Sequence, residues 1–85
     1  GVSVKVWRQI PYEVEASEPI TRDNLHEIAA WCGAEVHEAI AGLHWMGTTK
    51  WATRGDRVLH NFEGDFYAMP EAEFLDRFEE RGPAE

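Results

Sequence analysis

Four histidines and one cysteine are the residues best suited to bind a metal ion: His26, Cys32, His37, His44 and His60. Structural zinc sites usually draw their ligands from closely spaced pairs, such as Cys-x2-Cys or His-x3-His. Successive members of this set are 6, 5, 7 and 16 residues apart, and only one of them is a thiol. The spacing therefore predicts a protein that holds no metal ion, and no pattern indicates any other cofactor.

Cys32 would need a neighbouring base to act as a nucleophile, because the thiolate is the reactive form of cysteine. His26 lies six residues earlier in a predicted helix, which places it about 240° around the helix axis. Cys32 instead continues an apolar stripe at helical spacing with Leu25, Ile28 and Ala29. We therefore predict a buried structural thiol.

Other catalytic patterns are weak. General acid–base catalysis needs a carboxyl group with a shifted pKa in a cleft, whereas Glu13 and Glu15 are spaced as neighbours on a solvated sheet face. Gly55-Asp56 is typical of a turn, and the sequence contains neither Gly-x-Gly-x-x-Gly nor Gly-Lys-Ser/Thr. The sequence therefore favours a protein that is not an enzyme and has no catalytic residues.

Two tryptophans and a methionine lie around a predicted turn at residues 47–49. Tryptophan and methionine are enriched at the centres of protein interfaces, and a nearby arginine would add a planar set of donors. The candidate partner-binding residues are therefore Trp45, Met46, Trp51 and Arg54. The alternative is that Trp45 and Trp51 are buried under a helix, because protein interiors take most large apolar side chains.

The composition indicates one acidic globular domain over residues 1–85, with hydrophobic residues forming 44% of the chain. A net charge of −8 disfavours direct binding to nucleic acid or to an anionic membrane surface. No apolar run approaches the roughly 18 residues of a membrane span. The single cysteine leaves no intramolecular disulfide, as is usual in a reducing cytoplasm. Residues 71–85 hold six acidic and two basic residues, so this end could meet a basic partner or form a solvated helix face.

Two apolar patterns predict the first half of the fold. Alternation predicts a strand over residues 2–18, with the even-numbered valines on its buried face and Pro11 marking an edge, a bulge or a break. A helix should follow, with Thr21 capping its N-terminus and Gly33 accepting the positive φ of its C-terminal end. This helix carries the stripe that includes Cys32.

The second half reads as several strands and a final helix. Strands are predicted at residues 35–43 and 50–53, followed by a hairpin of residues 57–61 and 65–69. Gly64 suits the short loop of that hairpin.

Pro70 suits the first position of the C-terminal helix, whose buried stripe would be Phe74, Leu75 and Phe78. Gly82-Pro83 would end it, and residues 82–85 are expected to form a flexible tail. The order of elements predicts an α+β fold, a small twisted antiparallel sheet or open barrel with one helix after the first strand and a C-terminal helix.

Several short motifs occur in an order that resembles a family of short phage-encoded accessory proteins of unknown function. They include Trp31-Cys32-Gly33, Gly55-Asp56-Arg57-Val58 and Gly64-Asp65-Phe66-Tyr67, together with residues 6–16, Asp23-Asn24, Glu27-Ile28-Ala29, Phe74 and Phe78. The chain departs from the family pattern where Ala34 replaces a second glycine, where Ser17-Glu18 replaces an aromatic residue, and where Asp65 replaces a glutamate.

The resemblance implies a bacteriophage origin and work directed at the host. Together with the tryptophan-rich turn, it predicts a non-enzymatic protein–protein interaction module that acts on a host or phage protein in the host cytoplasm. Leftover apolar surface makes a homodimer a further expectation. Two alternatives stay open at this point: an acidic decoy of a DNA-binding protein, and a protein that binds or sequesters a small ligand such as a nucleotide.

Overall fold

The computed structural model describes residues 2–9 and 12–80, so the predicted tail at residues 82–85 lies outside the described residues. The described chain forms two antiparallel sheets and two α-helices, which confirms the α+β prediction. Its elements in chain order are β1 Val4–Gln9, β2 Tyr12–Ser17, α1 Leu25–Cys32, β3 Glu35–His37, β4 Gly42–His44, β5 Trp51–Ala52, β6 Asp56–Asn61, β7 Phe66–Pro70, α2 Glu71–Arg77 and β8 Glu79–Glu80.

The first sheet has the strand order β7-β6-β2-β1-β8, and the second sheet has the order β3-β4-β5. Val58 and Leu59 on β6 are both fully buried. Because neighbouring residues of a strand point to opposite faces, β6 is covered on both sides. Val58 belongs to the core that α1 and the second sheet form, and Leu59 belongs to the core under α2. Among the described helices, none is both long and apolar enough to span a bilayer.

The predicted buried face of the first strand is wrong. Residues 2–18 were expected to bury the even-numbered positions throughout, but Val6 is 41% exposed whereas Trp7 is buried. The chain folds into two antiparallel strands in which Trp7 pairs with Val14. Paired residues share a face of the sheet, so the buried face of β1 carries odd numbers while that of β2 carries even numbers. Pro11 lies outside the described residues.

Helix α1 confirms the predicted stripe, since Leu25, Ile28, Ala29 and Cys32 are all buried. It ends as expected at Gly33, which has a φ of 73°. Its start differs from the prediction, because Thr21 and Asn24 bond to each other's backbone N–H groups and hold a separate turn before the helix begins.

The predicted strand over residues 35–43 is instead a hairpin. A 3-10 turn at Glu38–Ile40 separates β3 from β4, and Ala41 follows it at a φ of 50°. The later hairpin of β6 and β7 is confirmed, with Gly64 at a φ of 89° in its loop.

Helix α2 departs from its predicted stripe. Phe74 and Phe78 are buried, but Leu75 is 53% exposed. The helix ends at Arg77, so Phe78 is already extended and leads into β8, which pairs with β1. Gly82-Pro83, the predicted end of this helix, lies outside the described residues. Pro70 closes β7 and precedes the helix rather than occupying its first turn.

Candidate functional site

The exposed side of the second sheet brings together residues that lie up to 16 positions apart in the chain. Antiparallel pairing sets Glu35 opposite His44 and His44 opposite Trp51. His37 lies two residues after Glu35 and therefore shares its face. Glu35, His37, His44 and Trp51 form what we call the outer face.

The opposite side of the same sheet is buried. Val36, Leu43 and Ala52 point towards α1 and join its core. The sheet therefore holds the outer face on a packed support, and the positions of its side chains depend on both strand pairing and the helix behind it.

An aromatic cluster occupies the outer face. The ring of His44 stacks on Trp51 with centroids 4.6 Å apart and an interplanar angle of 29°. The ring of His37 lies 4.8 Å from Trp51 at a tilted angle. Two imidazoles thus flank the indole, which is nonetheless 45% exposed.

Glu35 lies between the two imidazoles. Its Oε1 is 2.9 Å from Nε2 of His37 and 3.9 Å from Nδ1 of His44. Nε2 of His44 lies 2.8 Å from the carbonyl oxygen of Thr48, which can only accept a hydrogen bond. In the neutral ring, Nε2 of His44 therefore carries the proton and Nδ1 offers a lone pair towards Glu35.

The four candidate partner-binding residues have different surroundings. Trp45 packs against the core beside α1, and its Nε1 donates to the carbonyl of Cys32 at 3.1 Å. Trp51 remains exposed on the outer face, and Met46 is 74% exposed in the turn that follows β4. Arg54 is exposed in the turn after β5. The structure thus separates Trp45, which serves the core, from the other three.

Cys32 is buried, as predicted, and burial raises the pKa of its thiol. The thiol donates to the carbonyl of Ala29, 3.9 Å from Sγ. His26 is exposed on the other side of the helix, where its Nε2 lies 3.1 Å from the carboxylate of Glu38. The thiol and this histidine do not meet.

Acidic residues near the C-terminal end are largely engaged by arginines. Arg57 binds Glu71 through two nitrogens, and Arg77 pairs with Glu73 one helical turn away. Glu79 lies 3.1 Å from Nε of Arg8 on the neighbouring strand. This end of the described chain is thus a set of ion pairs rather than a row of unopposed carboxylates.

The grouping of Glu35, His37 and His44 was missed in the sequence because the spacing rule considered only ligands that are close along the chain. The available signal was a pair of potential ligands two residues apart, Glu35 and His37, followed by His44. A short hairpin between them would place His44 opposite the pair. Recognising it required the turn at residues 38–41.

No protein-family model matches the sequence, and comparisons with curated proteins and with solved structures find no significant match. The resemblance to phage accessory proteins therefore remains a prediction.

Proposed function

We propose that this protein is a non-enzymatic protein–protein interaction module that contacts its partner through Trp51 and Met46. The observation that carries the proposal is the exposure of Trp51. This indole stays 45% exposed on the surface of a sheet, whereas Trp7 is buried in one core and Trp45 packs against the other. Tryptophan is one of the residues enriched among those that dominate binding energy at interfaces.

The outer face suits this role because its anchor is held in place before binding. His44 stacks on one side of the indole, and His37 packs at 4.8 Å from it. A side chain that is already ordered loses less conformational entropy when a partner covers it. Met46 adds an unbranched, adaptable apolar side chain in the adjoining turn.

The expected partner follows from the resemblance to phage accessory proteins, which supports a host or phage protein met in the host cytoplasm. A second copy of the chain is the alternative occupant, since two outer faces could cover each other.

The other two functions have less support. The arginine pairs around Glu71, Glu73 and Glu79 reduce the charge that a decoy of a DNA-binding protein would present. Among the described residues, no specific feature favours a nucleotide ligand.

The test compares Trp51→Ala with Leu75→Ala, which removes an exposed apolar side chain from α2 instead. Affinity capture from a bacterial lysate and light scattering would be run on the parent and both variants. We expect a bound protein, or a dimer, that is kept by Leu75→Ala and lost by Trp51→Ala. A partner that Trp51→Ala retains, or a monomer that captures nothing, would overturn the proposal.

A further inference from the structure

We propose that the outer face binds one divalent transition-metal ion, with the Glu35 carboxylate, Nε2 of His37 and Nδ1 of His44 as its ligands. One donor atom from each of these three residues lies within 4.8 Å of the other two. The inference goes beyond partner binding and does not depend on it.

The distances are close to those of a coordination site. Ligands that lie about 2.0–2.2 Å from a tetrahedral ion are about 3.3–3.6 Å from one another. Glu35 Oε1 is 2.9 Å from His37 Nε2 and 3.9 Å from His44 Nδ1. The donor atoms of the third pair, within 4.8 Å of each other, must approach by at most about 1.5 Å to reach this spacing. The side chains of Glu35 and His37 are 48% and 39% exposed and thus able to rotate.

The hydrogen bond that Nε2 of His44 donates leaves Nδ1 of the same ring free to bind the ion. Metal-binding histidines usually donate their second ring N–H to a carbonyl or a carboxylate, which fixes the tautomer. Here the carbonyl of Thr48 accepts from Nε2 of His44 at 2.8 Å. The same turn is fixed by the Thr48 hydroxyl, which donates to the carbonyl of Trp45 at 2.6 Å.

The backbone holds all three ligands on paired strands. Glu35 and His44 are direct cross-strand partners, and His37 pairs with Gly42 in the same ladder. Sites carried by strands are held more precisely than sites carried by loops. The ligands therefore need side-chain adjustment but no rearrangement of the chain.

The ligand set selects the class of ion. Imidazole favours zinc, copper, iron and nickel, whereas magnesium and calcium prefer sites made of oxygen atoms alone. Two imidazoles and one carboxylate leave a further coordination position for water or for a group from a partner. Because the carboxylate of Glu35 accepts, Nε2 of His37 is the donor in their 2.9 Å contact, and a bound ion would replace that proton.

The test titrates the tag-free protein with zinc chloride by calorimetry. We expect one ion per chain and at least a tenfold loss of affinity in His37→Ala and in His44→Ala. His60→Ala is the matched control, because Nδ1 of His60 also lies 3.0 Å from a carboxylate, that of Glu15, and its ring stacks on Phe66. Among the described residues His60 belongs to no group of three potential metal ligands, so His60→Ala should leave the affinity for zinc unchanged.

A second measurement uses copper chloride and tryptophan fluorescence. An ion at this site would quench Trp51, whose ring is 4.6 Å from that of His44, and Trp51→Phe should remove the quenched component. Glu35→Gln changes a half-exposed position and should also weaken zinc binding, which keeps the test decisive if a histidine variant fails to fold.

Three results would overturn the site: no saturable zinc binding, equal weakening by His60→Ala, or full affinity in a His37→Ala/His44→Ala double variant with native circular dichroism.

Discussion

The guanidinium of Arg57 forms a two-point contact with the carboxylate of Glu71, with Nε 2.8 Å from Oε2 and Nη2 3.0 Å from Oε1. Its remaining terminal nitrogen donates to the carbonyl of Ser17 at 3.1 Å. The cation also lies 5.1 Å from the ring of Trp7 and 4.9 Å from that of Phe74. Because Glu71 belongs to α2 and Arg57 to β6, this contact ties α2 to the first sheet.

Removing Glu71 should destabilise the protein strongly. Glu71→Ala leaves the Arg57 charge buried without its partner, and breaking a buried pair in this way costs about 3 kcal/mol. Glu73→Ala is the control on the same helix, because Glu73 pairs with Arg77 at 3.1 Å on the exposed side, and such pairs contribute about 0.5 kcal/mol or less. Urea unfolding would measure both, and equal losses would contradict this account.

The two tryptophans among the candidate partner-binding residues, Trp45 and Trp51, should differ in their effects on stability. Trp45→Ala removes a ring packed on the core and its bond to Cys32, so we expect a loss of about 3 kcal/mol in the free energy of unfolding. Trp51→Ala removes a ring that is 45% exposed, and we expect a loss of about 1 kcal/mol. Thermal or urea unfolding checks the ranking, and the reverse order would refute it.

The burial of Cys32 leads us to expect two results, one in thiol reactivity and one in the pH dependence of stability. Desolvation raises the pKa of the thiol above its ordinary value of 9.0, so the folded protein should react with iodoacetamide much more slowly at pH 8 than the urea-unfolded chain. The raised pKa stabilises the fold in full below the pKa of the unfolded chain. That stabilisation is lost as the pH rises through the folded pKa.

The free energy of unfolding should therefore fall as the pH rises above the ordinary thiol pKa of 9.0, and less steeply in Cys32→Ala. Burial also raises the pKa of Tyr67, against the opposing charge of Arg77, so this phenol adds to the fall in both proteins only above its ordinary pKa of 10.0. A thiol that reacts at the same rate in the folded and the unfolded chain would contradict the buried position.

The parts of the fold that could be predicted are those that neighbouring residues determine. The stripe of α1, its end at Gly33 and the hairpin closed at Gly64 all depend on spacing or on a single glycine with positive φ. The buried face of β1 could not be predicted in this way. It depends on the pairing of Trp7 with Val14, a contact that only the hairpin register fixes.

The candidate site was predicted in part for a related reason. Exposed Trp51 and Met46 were identified by residue type, but whether Trp45 or Trp51 served the core depended on tertiary packing. Glu35 and His44 become neighbours through a turn that Ala41 completes at a φ of 50°. A glycine at that position would have indicated the turn, whereas alanine seldom adopts this conformation.

Ser17 should contribute more to the free energy of unfolding than its small size suggests, because its hydroxyl completes the contact between β2 and β6. Its Oγ accepts from the N–H of Val58 at 3.0 Å and donates to the carbonyl of Glu18 at 2.8 Å, and the residue is fully buried. Ser17→Ala leaves the Val58 N–H buried without an acceptor, which costs about 1–3 kcal/mol.

The control for Ser17 is Thr53→Ala, which removes an exposed hydroxyl that lies 3.5 Å from Asp56 and should change stability by less than about 0.5 kcal/mol. Hydrogen exchange adds a readout specific to this bond. The Val58 amide, buried between the two cores, should exchange faster in Ser17→Ala by more than the global loss of stability explains, because its own acceptor is gone. An unchanged Val58 exchange rate would show that the Ser17 hydroxyl does not hold this amide.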